Sequence, residues 1–147
     1  MFETLEMRRM LSITLAGSRI TINGTSAPDV ISVEQFSGPT KFLIWENGTS
    51  TLITSNRVVR QIVVNGNDSD DCIVILPSVS ADTTLNGNGG NDTLIGGGAS
   101  DRFSGGDGVD TVDYRQSQDN LRLSINETAD DGAFGEGDNI LSDMENI

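Results

Sequence analysis

The chain has 147 residues, of which 35% are hydrophobic and 5% aromatic. That supply is too thin for a broad globular core and suits a repeat that buries one or two side chains at a time. Its 9 basic and 22 acidic residues give a net charge of −13, split as +1 over residues 1–60 (6 basic, 5 acidic) and −14 over residues 61–147 (3 basic, 17 acidic). An acidic half of this kind repels phosphates, which argues against nucleic acid and anionic membranes as partners, and it repels itself unless divalent cations neutralise it.

The length fits one domain or one module of a longer array. No apolar run is long enough for a transmembrane helix, so no membrane span is expected. The first stretch contains Leu5-Glu6-Met7-Arg8-Arg9-Met10-Leu11-Ser12. It resembles the L-E-x-R-x-L-L-S segment near the start of large exported and surface proteins of planctomycete-type bacteria. The alternative is a short amphipathic helix packed on the first strands. The apolar segment that follows is too brief for an ordinary signal peptide.

From Leu11 the hydrophobic period is two, the spacing of a strand. Ser12–Leu15 and Arg19–Ile22 flank Ala16-Gly17-Ser18 as a tight strand pair. Gly24–Ser32 puts Gly first, Asp29 sixth and Ile31 eighth, and reads as a plain turn before a strand over Val30–Val33. Phe42–Glu46 and Thr49–Ile53 form a hairpin across Asn47-Gly48, a pair suited to a type I′ turn, with Trp45 on one face. Arg57–Val64 is a further β-rich run. Asn65–Ile73 has Asp70 in sixth place and an acidic trio, Asp68, Asp70 and Asp71, that is either a solvated acidic turn or a weak cation site. An EF-hand is excluded there, since the required Gly and Glu are missing. The only cysteine, Cys72, opens the apolar run Cys72–Leu76 and is expected to be a buried strand residue rather than a reactive thiol.

Residues 87–113 are the most regular part of the chain. They divide into Gly87–Ile95, Gly96–Ser104 and Gly105–Asp113, each with Gly first, Asp sixth (Asp92, Asp101, Asp110) and an apolar residue eighth. A Gly-rich hexamer lets the backbone take positive φ and turn carbonyls inward, and an Asp at its end adds a hard anionic oxygen. Calcium accepts six to eight such oxygens in irregular geometry. The apolar column continues at a nine-residue step through Leu85, Leu94, Phe103, Val112 and Leu121, as in a solenoid ladder.

This register resembles the calcium-binding nonapeptide of RTX (repeats-in-toxin, or hemolysin-type) proteins, G-G-x-G-x-D-x-U-x. The resemblance implies an all-β fold: a right-handed parallel β-roll, or β-solenoid, with an irregular β-rich N-terminal part. It implies Ca2+ as the bound ion, held by turns containing Gly87, Gly89, Gly90, Gly96, Gly98, Gly106 and Gly108 and by Asp92, Asp101 and Asp110. Two nonapeptides make one coil in the family, so Asp92 should stack on Asp110 and share one ion. Asp101 would face Thr83 and Asp119, neither in a Gly-rich turn, and make a weaker site.

After Asp113 the glycines thin out. Leu121–Ile125 alternates as a strand, and Asp130–Ile140 leads to Asp143-Met144-Glu145-Asn146-Ile147. This part resembles the spacers between RTX blocks that end in E-N-I or E-N-V. The expected organisation is an exported-protein-like motif over 1–12, a β-rich solenoid-like or hairpin region over 13–77, an RTX-like β-roll over 78–125 and an acidic spacer over 126–147.

Enzyme readings fare badly. The chain has no histidine, which removes H-E-x-x-H zinc hydrolysis and Ser-His-Asp catalysis, and it has no Walker loop. A paired-carboxylate glycosidase would have the acids it needs, but the repeats account for them more economically. The expectation is a secreted or surface protein that binds calcium ions and couples folding to the calcium-rich exterior. The alternative is a structural or adhesive module of a larger surface protein, with a glycan or another protein as partner.

Overall fold

The computed structural model describes residues 11–147. The exported-protein-like stretch lies outside the described residues except for Leu11 and Ser12. All regular structure among the described residues is β-strand.

Strands β1 (Ser12–Ala16) and β2 (Arg19–Asn23) form an antiparallel hairpin with Gly17 at φ 64°. The chain turns over Gly24–Asp29 into β3 (Val30–Gln35), then leaves on a hairpin of β4 (Lys41–Glu46) and β5 (Thr49–Thr54). Asn47 and Gly48 connect these two strands with φ of 46° and 85°, the two left-handed residues of a type I′ turn. The next strands alternate between two sheets. On one side β6 (Gln61–Asp68), β8 (Asp82–Gly89) and β10 (Asp101–Asp107) follow β2 in parallel. On the other, β7 (Cys72–Ile75), β9 (Thr93–Ile95) and β11 (Thr111–Val112) follow β3 in parallel. A small antiparallel pair, β12 (Leu121–Arg122) with β13 (Gly132–Ala133), stands apart before β14 (Asn139–Ile140) returns parallel to β10. The result is two six-stranded sheets, β1-β2-β6-β8-β10-β14 and β11-β9-β7-β3-β4-β5. Both are mixed: their middles are parallel, and the hairpin strands β1, β4 and β5 pair antiparallel at one end.

Period-two alternation sets which side chains meet inside. Ile20, Ile22, Ile62, Val64, Leu85, Phe103 and Ile140 from the first sheet share one core with Ile31, Val33, Phe42, Ile44, Ile73, Ile75, Leu94 and Val112 from the second. In-register pairing stacks like on like, with Ile22 beside Val64, Val64 beside Leu85, and Leu85 beside Phe103.

Several expectations need correction. The strand expected to begin at Arg57 starts at Gln61. Leu121 does not continue the core column; it is half-buried in β12 against Ala133, and Ile140 takes the place beside Phe103. The nine-residue step fails there because the chain makes an excursion before β14 joins the first sheet beside β10. Cys72 is half-buried rather than buried, since the alternation of β7 sends Ile73 and Ile75 inward and Cys72 to the outer face. Trp45 lies on the outer face of β4, 39% exposed.

Phe103 is fully buried and meets Tyr114 edge-on with ring centroids 6.0 Å apart. Phe103→Ala should cost about 3 kcal/mol or more of stability in denaturant unfolding. Leu121→Ala should cost clearly less, and equal losses would refute the core assignment.

Candidate metal edge

Where the chain passes from the first sheet to the second, four turns stack along one edge: 24–29, 66–71, 87–92 and 105–110. Each begins with an inward-facing Gly and ends with a buried Asp five residues later (Asp29, Asp71, Asp92, Asp110). The last three share a backbone form, with paired positive φ at Asn67 and Ser69, at Asn88 and Gly90, and at Gly106 and Gly108. Their stacking is backbone on backbone. A Cβ at Gly106 would meet Asn88 O and one at Gly108 would meet Gly90 O, both far inside contact distance.

The acids form a relay of hydrogen bonds. Asp29 N–H donates to Asp71 Oδ1, Asp71 N–H to Asp92 Oδ1 and Asp92 N–H to Asp110 Oδ1, each at 2.7 Å. Asp110 N–H donates at 2.7 Å to Glu145 Oε2, so the C-terminal segment supplies the next acid. The relay engages one oxygen of each carboxylate. The other oxygens, Oδ2 of Asp71, Asp92 and Asp110, are buried without a hydrogen-bond partner.

Each unpartnered oxygen lies against the Gly that opens its own turn. A Cβ at Gly66, Gly87 or Gly105 would collide with Oδ2 of Asp71, Asp92 or Asp110. The same three positions are 2.8 Å from Gly87 O, 2.7 Å from Gly105 O and 2.6 Å from Asp143 O. Every gap between successive coils therefore holds an anionic oxygen beside a backbone carbonyl. The free oxygens of Asp92 and Asp110 lie in successive gaps, so the two acids stack as expected but join by a hydrogen bond rather than by converging on one point. Among the described residues no three acidic, histidine or cysteine side chains converge, and any cation cage here has to be completed by backbone oxygens. Buried, unpartnered hard oxygens suit calcium. They do not suit the nitrogen- and sulfur-seeking metals, because the chain has no histidine and its one cysteine lies on the outer face of β7.

The opposite edge is built differently. Asp101 is buried, and its oxygens are engaged: Thr83 Oγ1 donates to Oδ1 at 2.5 Å and Gly97 N–H to Oδ2 at 2.7 Å. The coil beyond supplies Asp138 rather than Asp119: Asp101 N–H donates to Asp138 Oδ1 at 2.9 Å and Tyr114 O–H to Asp138 Oδ2 at 2.8 Å. Gly96 and Gly98 are absent from the positive-φ residues. Gly96 makes room for Asp101 and for the Phe103 ring, whose Cζ would be 2.7 Å from a Cβ there. Gly98 and Gly89 have nothing nearer than 3.8 Å. Sequence reasoning offered Asp71 only within an acidic trio, as either a solvated turn or a weak cation site, and left Asp138, Asp143 and Glu145 out of the site. A Gly-to-Asp step of five residues, recurring at 24/29 and 66/71, is the signal that finds Asp71.

Burial dominates the titration of these acids. It pushes Asp71 up to about 7, opposed by the Asp29 N–H and reinforced by the Asp92 charge. It also raises Asp92 and Asp110, each with a neighbouring carboxylate adding to the effect. Asp101 rises to about 7 and Asp138 to about 6 for the same first reason. A carboxyl whose folded value exceeds its unfolded value binds more protons when folded. The calcium-free chain should therefore be most stable below about pH 4 and lose stability as pH rises towards about 7, as thermal unfolding in chelator across that range would show. The glycines give a second check. Gly87→Ala should cost about 1–3 kcal/mol by forcing the Asp92 carboxylate and Gly105 O apart, whereas Gly89→Ala should fall within about 1 kcal/mol of the parent.

No curated protein and no solved structure matches the chain. Residues 79–112, which run from the end of the turn after β7 through β11, match the family described as RTX calcium-binding nonapeptide repeat (4 copies). Over those residues the chain is similar to RTX calcium-binding repeats, and such repeats imply calcium binding.

Proposed function

We propose that this protein binds calcium along the Asp92–Asp110 edge and that the ion completes its fold. The observation that carries the reading is the row of buried carboxylate oxygens without partners. An unpaired buried carboxylate is costly, and a row of them repels itself. Calcium would supply positive charge and coordination at oxygens that no protein donor reaches. Asp92 with the carbonyl of Gly105, and Asp110 with that of Asp143, would hold ions in successive gaps, while the relay bonds orient the carboxylates. In this reading the parallel middles of the two sheets with their stacked turns are a β-roll, and the antiparallel hairpin strands close its N-terminal end.

Folding that waits for calcium suits an extracellular protein, where modules of this kind work at roughly 10⁻⁴ to 10⁻³ M ion. We read no catalytic role. The alternative, an adhesive module for a glycan or protein partner, is supported by Trp45 and Leu52, exposed by 39% and 57% on adjoining strands β4 and β5. Adhesion assays on the calcium-loaded form separate the two.

Calcium titration by calorimetry, with far-UV circular dichroism, tests the proposal. Calcium should order the chain and magnesium should replace it poorly, since magnesium demands tighter octahedral geometry. Asp92→Ala and Asp110→Ala should each weaken binding at least tenfold, about 1.4 kcal/mol. Asp101→Ala should weaken it less. Equal losses at Asp92 and Asp101, or coincident spectra with and without calcium, would refute the reading.

A further inference from the structure

We propose a further calcium site one coil before the nonapeptide match, in the gap between turns 66–71 and 87–92, with Asp71 Oδ2 and the carbonyl of Gly87 among its donors. The inference rests on the calcium reading above but concerns residues outside the matched stretch 79–112. Turn 66–71 has a single glycine, Gly66, and it is offset from the next turn by 21 residues rather than 18. It nevertheless has the same construction. Asn67 and Ser69 take positive φ of 85° and 80° where the following turns use Asn88 with Gly90 and Gly106 with Gly108. Asp71 Oδ2 fills the space that Gly66 leaves, where a Cβ would lie 2.8 Å from Gly87 O. Asp71 is only 3% exposed, and its Oδ2 has no partner.

The coil before it provides the contrast. Asp29 occupies the equivalent place and is equally buried, yet its carboxylate is satisfied by the protein. Thr25 N–H and Oγ1 donate to Asp29 Oδ2 at 2.7 and 3.0 Å, and Asn47 Nδ2 donates to Oδ1 at 2.9 Å. Turn 24–29 also lacks the positive-φ pair. Protein donors therefore stand at Asp29 where the next coil leaves an oxygen open. The cation row begins at Asp71 and stops short of Asp29.

The test is the number of calcium ions bound per full-length chain, by calorimetry and by equilibrium dialysis with calcium chloride. Asp71→Asn should bind one ion fewer than the parent, while Asp29→Asn should bind the parent number. An unchanged count in Asp71→Asn overturns the proposal and leaves the calcium reading standing, as would follow if a water met the Asp71 oxygen. No binding by the parent overturns both. If Asp71→Asn fails to fold, amide resonances answer in the parent chain. Calcium at saturation should shift those of Asn67–Asp71 as well as those of turns 87–92 and 105–110, and shifts confined to the latter overturn the site.

Discussion

The structure depends on one repeated interaction, in which the Asp that ends a turn accepts the backbone N–H of its counterpart in the previous coil. This bond aligns each turn on the next and takes the carboxylate out of water. It also leaves the second oxygen facing the inter-coil gap beside a carbonyl. Alignment and exposure of an anionic oxygen to the gap thus come from the same contact. The glycines at 66, 87 and 105 are required because that oxygen occupies the space of their missing Cβ atoms.

The two edges divide the work. On the Asp71–Asp92–Asp110 edge the acids keep an oxygen free; on the other, Thr83, Gly97 and Tyr114 spend donors on Asp101 and Asp138. Earlier coils fill the second edge with Ile20, Ile62, Val79 and Ala81, which needs no ion at all. The acidic edge and the apolar edge lie on one continuous pair of sheets, so charge repulsion at one is opposed by burial at the other.

Much of this was legible in the residues. Strict Gly-to-Asp spacing over 87–113 located Asp92 and Asp110, period two located the strand of Ile20 and Ile22, and the nine-residue step located Leu85, Leu94, Phe103 and Val112 in the core. The I′ turn at Asn47-Gly48 followed from backbone preference alone. What escaped did so for physical reasons. Turn 66–71 read as either a solvated turn or a weak cation site because Asn and Ser stand at its left-handed positions, which Asn reaches at modest cost. The nine-residue step put Leu121 in the core column and the 18-residue step put Asp119 beside Asp101, but periodicity cannot see an excursion that returns in register at Asp138 and Ile140. The E-N-I ending carries an acid that no Gly-to-Asp spacing flags: Glu145 receives the N–H of Asp110, and Asn146 bridges to Thr111.

The hairpin of β4 and β5 sits inside a coil, between β3 and β6, and the loop after β11 sits inside another. Relay partners are therefore 21 and 18 residues apart in the middle of the chain but 42 and 35 apart at its two ends. Doubling a loop adds only about 0.6 kcal/mol to the entropy of closing it, which is why such excursions are tolerated. Loop entropy alone therefore favours closing the central turns, over the shortest loops, ahead of the two ends.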